Sequence, residues 1–203
     1  MTGVKGQVQA RGVERRRAIV EAATELFARS GYHDTSLADI ARTVGIARSA
    51  IAHHFGSKDQ LLVTVLRAID RRALAQIGSG DTRTTRDAFQ RWADVARWCE
   101  GEGRAITLLS VRMETENVLG SDLARAHFAA RDRSIHHLLV TMLRDGIRRN
   151  DLRADIDVEA KAAEMLAFGA GAAFTWLKDP DQVSLGDLHT GYFTGQYTLL
   201  STS

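Results

Sequence analysis

One proline in 203 residues, Pro180, is the strongest constraint on this chain, because proline both removes a backbone donor and clashes with the preceding helical turn. Alanine, leucine, arginine and glutamate fill much of the remainder, and each is a good helix former. No segment alternates apolar and polar residues with the period of a strand. An all-α fold is therefore expected. Apolar residues recurring at helical spacing predict helices near residues 14–29, 36–43, 47–54, 60–77, 84–99, 103–117, 121–149, 157–178 and 184–200. The first carries Ile19, Ala22, Ala23, Leu26 and Phe27 on one face and stops at Ser30-Gly31. The stretch "GSGDTRTT", residues 78–85, reads as a loop between a small N-terminal unit and a larger helical one.

A chain of this length can bury roughly 70% of the surface its unfolded state exposes, so it needs no covalent staples. Its single cysteine, Cys99, excludes an internal disulfide framework and any cysteine-based zinc module. The start "MTGVKGQVQARGVERRR" has no apolar run of the secretory kind, and no stretch of about 18 apolar residues occurs. A cytoplasmic protein without a membrane span or cofactor is expected. The net charge of +2 is unevenly placed: residues 1–60 hold nine lysines and arginines against six acids, and the rest hold 18 against 19. The positive excess sits where an anionic partner would be met, although a solvated basic tail would show the same bias.

The chemistry concentrates in "IARSAIAHHFGSKDQLL", residues 46–62. Ser57 with Gln60 has capping-box spacing, so Gly56 and Ser57 end one helix and start the next, and the Gly-x4-Gly-Lys pattern of a phosphate loop is absent. Ser36 can cap the preceding helix, with Asp39 placed against its N-terminal dipole. Ile40, Val44, Ile46 and Ile51 form an apolar set between two short helices, while Ala41 and Gly45 permit close approach and a sharp turn. These are the requirements of a helix-turn-helix. Arg48 can donate two hydrogen bonds to guanine, and Ser49 and His53 can reach base edges or phosphate. His53 and His54, adjacent on a helix, point about 100° apart and do not suit a shared metal.

Residues 14–62, "ERRRAIVEAATELFARSGYHDTSLADIARTVGIARSAIAHHFGSKDQLL", closely resemble the N-terminal domain of TetR/AcrR-family transcriptional regulators. The likeness covers "LFARSGY", "TSLADIA" and the "HF-x-S-K-x-x-L" ending, in order. The resemblance implies a three-helix DNA-binding domain with its helix-turn-helix, residues 1–58, followed by a larger helical domain for effector binding and dimerisation, residues 59–203. It implies a recognition helix from Ala47 to His54, DNA contacts from Arg42, Ala47, Arg48, Ser49, His53, His54 and Lys58, and Phe55 in the small core. Two positions depart from the family pattern: Ala47 stands where Ser or Thr is common, and Ala52 where Tyr is usual. Fewer phosphate contacts are expected, or compensation from Arg42 and the Arg15 to Arg17 cluster.

Beyond residue 84 the stripes Phe89, Trp92, Ala96, Cys99 and Ile106, Leu109, Met113 read first as core. His127, Ser134, His137 and Thr141 fall on or near one face of the helix from residue 121. That face is either partly exposed with satisfied histidines or lined with polar groups for a ligand. Phe89, Trp92, Met113, His127 and His137 are the candidate ligand residues. Ala163, Ala167 and Gly171 recur every four residues, allowing close helix approach, and "AFGAGAAFTWLKDPDQVSL" resembles a stretch near the C-terminus of many family members. There the last two helices form a four-helix dimer interface, to which Leu185, Leu188, Tyr192 and Leu199 would contribute. Purely intramolecular packing would explain the same stripe.

The expected function is a ligand-responsive regulator: a homodimeric repressor that binds a palindromic double-stranded operator and is released by a small-molecule effector. An effector-free architectural DNA-binding protein is the alternative. An enzyme fits less well, since HExxH, Gly-x-Ser-x-Gly and a cysteine-histidine arrangement around Cys99 are all missing.

Overall fold

The computed structural model describes residues 3–78, 84–117 and 122–202, with side chains described at 10–76, 84–115 and 122–202. In chain order the helices among them are α1 (Gly3–Ser30), α2 (Leu37–Val44), α3 (Arg48–Phe55), α4 (Lys58–Gly78), α5 (Thr85–Glu100), α6 (Arg104–Asn117), α7 (Asp122–Arg148), α8 (Val158–Lys178) and α9 (Leu185–Leu200). Each expected helix is present. The largest departure is α1, which begins at Gly3. Its apolar stripe starts only at Ile19, so periodicity gave no sign of the polar turns before it. Most of the expected loop at 78–85, residues 79–83, lies outside the described residues. No described helix is long and apolar enough to cross a membrane.

Among the described residues, three packed clusters organise the fold. The first joins Ile19 and Phe27 of α1, Ile40 of α2, Ile51 and Phe55 of α3, and Leu61, Leu62, Val65 and Leu66 of α4 to Leu109 and Met113 of α6 and Phe128 of α7. The second gathers Phe89 of α5, Leu139 and Leu143 of α7, Met165 of α8, and Phe193 and Leu200 of α9. The third is smaller and centres on Trp176, with Ala96, Ala172 and Leu185. Burial of such side chains contributes about 1.5–3 kcal/mol each, which makes these clusters the main source of stability.

Two polar devices fix the far end. Arg104 donates to the carbonyl of Pro180 at 3.0 Å and to Asp181 at 2.5 Å, holding the α8–α9 turn against the start of α6. Leu152 and Ser201 form an isolated antiparallel bridge, in which the Arg153 amide donates to Leu200 at 2.9 Å and the Thr202 amide to Asp151 at 3.1 Å.

Candidate nucleic-acid interface

Helix α2 starts on a complete capping box. The Asp39 amide donates to Ser36 Oγ at 3.2 Å, and the Ser36 amide donates to Asp39 Oδ2 at 3.0 Å. The Ser36 hydroxyl also donates to Asp39, and this hydrogen bonding holds its carboxyl below the usual range. The helix ends at Gly45, whose φ of 72° is left-handed and suits glycine. The Ile46 amide then donates back to Ala41 at 3.0 Å, so the chain turns within three residues into α3.

Ile51 and Phe55 are one turn apart on α3, and both are buried in the first cluster. Their anchoring turns Arg48, Ser49, Ala52 and His53 toward solvent. The α3 cap, Ala47, has the extended backbone a capping residue needs (φ −72°, ψ 144°) but no side-chain acceptor. The Ala50 amide donates to the Ala47 carbonyl at 3.0 Å, and the Arg48 and Ser49 amides, with no capping side chain at position 47, are open to water or a phosphate oxygen.

The basic residues around this face divide into free and engaged. Arg48 is exposed on α3. Arg42 is exposed but paired with Asp39 at 3.1 Å. Lys58 donates to the His33 carbonyl at 3.3 Å and lies 4.3 Å above the Tyr32 ring, whose hydroxyl donates to Asp59. Burial there lowers the Lys58 pKa, and hydrogen bonding adds to desolvation in raising that of Tyr32. The His54 ring is half-buried, edge-on to Phe55. Of the arginines expected to compensate for Ala52, Arg16 is exposed but engaged: it donates to the His54 carbonyl at 3.2 Å and lies 4.6 Å from the Phe55 ring centre. Arg17 pairs with Glu21 at 2.8 Å, leaving Arg15 the open member of that cluster.

The five candidate ligand residues do not share one cavity. Phe89 and Trp92 pack on the α9 aromatics, Phe89 edge-on to Phe193 and Tyr197, and Trp92 stacked on Phe193. Met113 is fully buried in the other large cluster, near the wall that α6 and α7 present to α4. His127 is buried with Nε2 3.0 Å from Asp70 of α4, whereas His137 is exposed. Ten residues along a helix amount to roughly 15 Å of rise and about 80° of net rotation, so His127 and His137 look out at different surroundings, one buried and one in solvent. Ser134 and Thr141 are also exposed, and each donates to a carbonyl of its own helix.

Sequence reasoning missed the polar cluster beside His127. Arg131 pairs with Glu114 of α6 at 2.8 Å and with Asp132 at 3.2 Å, and sits 5.0 Å from the Phe128 ring centre. Its Nε is buried without a hydrogen-bond partner. The available signal was a charged residue one turn after His127 on the same face as Ala124 and Phe128.

A compact capped helix-turn-helix with donors on its outer face is the geometry of a DNA-binding domain. Residues 19–65 match the family model described as "Bacterial regulatory proteins, tetR family". The chain is 29% identical over 194 residues to the probable HTH-type transcriptional regulator ArpR of Pseudomonas putida, covering 90% of both proteins. It is 28% identical over 194 residues to the HTH-type transcriptional regulator TtgR, also of Pseudomonas putida, again over 90% of each. Among solved structures, a putative transcriptional regulator from Saccharomonospora viridis in complex with choline superposes with a TM-score of 0.80 at 23% identity, over 94% of this chain and 100% of that one. Residues 19–65 thus carry the DNA-binding domain signature of the TetR family of bacterial regulatory proteins, and the chain as a whole is similar to HTH-type transcriptional regulators over most of its length.

Proposed function

We propose that the protein is a homodimeric repressor whose two α3 helices read successive major grooves of a palindromic operator, and that a small-molecule effector releases it. The observation that carries this reading is the outer face of α3, with Arg48, Ser49 and His53 in solvent above buried Ile51 and Phe55. Arg42, Ala47, His54 and Lys58 complete the proposed DNA surface around it. A DNA-binding unit, residues 1–58, then rides on a helical body, residues 59–203, with α4 as the joint.

The dimer surface is proposed on α8 and α9. Ala163, Ala167, Gly171 and Phe174 are exposed along α8, and Leu188 and Leu199 along α9. A Cβ added at Gly171, Gly191 or Gly195 would meet nothing within 4 Å, so the small residues serve no close packing inside the subunit. Close approach by a second copy is what supports their role in assembly.

For the switch, Asp70 of α4 faces His127 of α7, and the neighbouring Arg131 Nε has no hydrogen-bond partner. An effector bearing an acceptor oxygen would satisfy Arg131 and compete for His127, loosening the hold of α7 on α4. It shifts the equilibrium only by its differential affinity for the two arrangements. The choline held by the Saccharomonospora viridis regulator supports a small molecule as effector. Of the candidate ligand residues, Met113 and His127 stay with this site, and Phe89, Trp92 and His137 lie elsewhere.

The test is operator binding by fluorescence anisotropy, using DNA beside the protein's own gene and a small-molecule library. Asp70→Asn, which removes the carboxylate charge lying 3.0 Å from His127 Nε2, should weaken operator binding about threefold to tenfold and should lower the effector concentration needed for release. Unchanged operator affinity and effector response in a folded Asp70→Asn protein would reduce the pair to a structural contact.

A further inference from the structure

We propose that the trough between α1 and α4 is a docking site for an acidic amphipathic helix of a partner protein, and that occupancy weakens operator binding. This goes beyond the effector reading and uses none of its residues. Two clefts, of about 510 and 300 Å³, meet at Arg16 and Thr64. Their apolar lining is short, made of half-buried Val20, Val63 and Ala68 with exposed Val13 and Ala75 at the edge. Five arginines line them, Arg16, Arg17, Arg67, Arg71 and Arg72, against one carboxylate, Glu21, which is already paired with Arg17. Among the described residues Arg67, Arg71 and Arg72 have no ion-pair partner. Val13 is 69% exposed and Leu123, at the other end, 48%.

The chemistry selects the occupant. From Gln60 to Ala75 the trough runs roughly 22 Å along α4, about four helical turns. Arg67 and Arg71 are one turn apart, which matches carboxylates spaced i and i+4 on a helix laid against them. A fatty acid brings one carboxylate and would leave most of the arginines unanswered. A DNA duplex is too wide to enter a groove between two packed helices and would leave the apolar lining uncovered. An acidic helix with one apolar stripe satisfies both the apolar lining and the rim, in the helix-in-groove mode.

The site is coupled to DNA binding through Arg16. Its guanidinium lines both clefts and donates to the His54 carbonyl at the end of α3. Carboxylates in the trough compete for that guanidinium and release the end of the recognition helix.

The probe is a fluorescein-labelled synthetic peptide of about 18 residues, with glutamates at i and i+4 beside a leucine stripe; a lysine-for-glutamate peptide and oleate serve as controls. The acidic peptide should bind the full-length protein and lower its operator affinity, while the lysine peptide does neither. Arg71→Glu combined with Arg72→Glu should weaken peptide binding about tenfold or more with operator affinity kept. Ala75→Trp, which crowds the apolar edge of the cleft without changing charge, should weaken the peptide likewise. Peptide affinity unaltered by both variants would overturn the proposal. Oleate binding in place of the peptide would reassign the trough to lipid, and a parallel loss of operator affinity in the arginine double variant would reassign it to flanking DNA.

Discussion

Helix α3 and the α8–α9 pair each leave one face uncovered, and the two faces differ in every chemical respect. On α3 the outward residues are Arg48, Ser49 and His53, held out by the anchors Ile51 and Phe55. On α8 and α9 they include Ala163, Ala167, Gly171, Phe174, Leu188 and Leu199, with Phe174 47% and Leu199 61% exposed. Donors that stay hydrated until a partner replaces the water suit a wet, charged surface such as DNA. Apolar and small side chains gain only when water is expelled by a closely fitting partner. Exposure alone therefore does not indicate the partner; the composition of the exposed face does.

The comparison breaks most severely at Gly171. Gly171→Leu should leave the subunit folded, because an added Cβ meets nothing within 4 Å, yet abolish the dimer in analytical ultracentrifugation. Operator affinity should then fall by about 10²–10⁴, the avidity contributed by a second half-site. A Gly171→Leu dimer that still binds its operator would move the interface elsewhere. Arg48→Ala comes next, with a loss of about 1–3 kcal/mol of discrimination at one base pair per half-site and non-specific binding retained. Binding-site selection on the variant checks it, and an unaltered sequence preference would remove Arg48 from the readers.

Ala47→Ser tests the missing cap. Position 47 already has the extended backbone a capping serine uses, so thermal unfolding should show about 0.5–1 kcal/mol of added stability. No gain would mean that the first turn of α3 is already satisfied by water. The smallest effect is expected at Lys58, whose ammonium is shared with His33 and Tyr32. Lys58→Ala should weaken all DNA sequences alike and lower the salt slope by at most about one unit per subunit. A sequence-dependent loss would make Lys58 a reader and blur the contrast between base and backbone contacts.

Much of the helix-turn-helix was legible in the sequence because its causes are local. Ser36 with Asp39, Gly45 in the turn, and Ile51 with Phe55 four residues on all act within one or two helical turns. The engagement of Arg16 with the end of α3 was not legible, since 38 residues separate it from His54. The candidate ligand set failed to converge for the same reason. Whether His127 and Met113 meet α4 or solvent depends on how α6 and α7 lie against it, which periodicity along one helix does not report. The α1 extension was missed because a polar helix carries no stripe.

The first cluster also has a mechanical consequence. Leu61, Leu62, Val65 and Leu66 of α4 are buried with the residues of α1 to α3, and the same packing continues into Leu109, Met113 and Phe128. The reading head and the body are thus geared together and not strung on a tether, with no slack in which a displacement could be lost. A shift of one ångström in α7 must either turn the whole head or break packing worth several kcal/mol, and turning the head is the softer path. A fragment ending at residue 58 would be a gear without its axle, missing the Leu61, Leu62, Val65 and Leu66 surface on which its own helices rest.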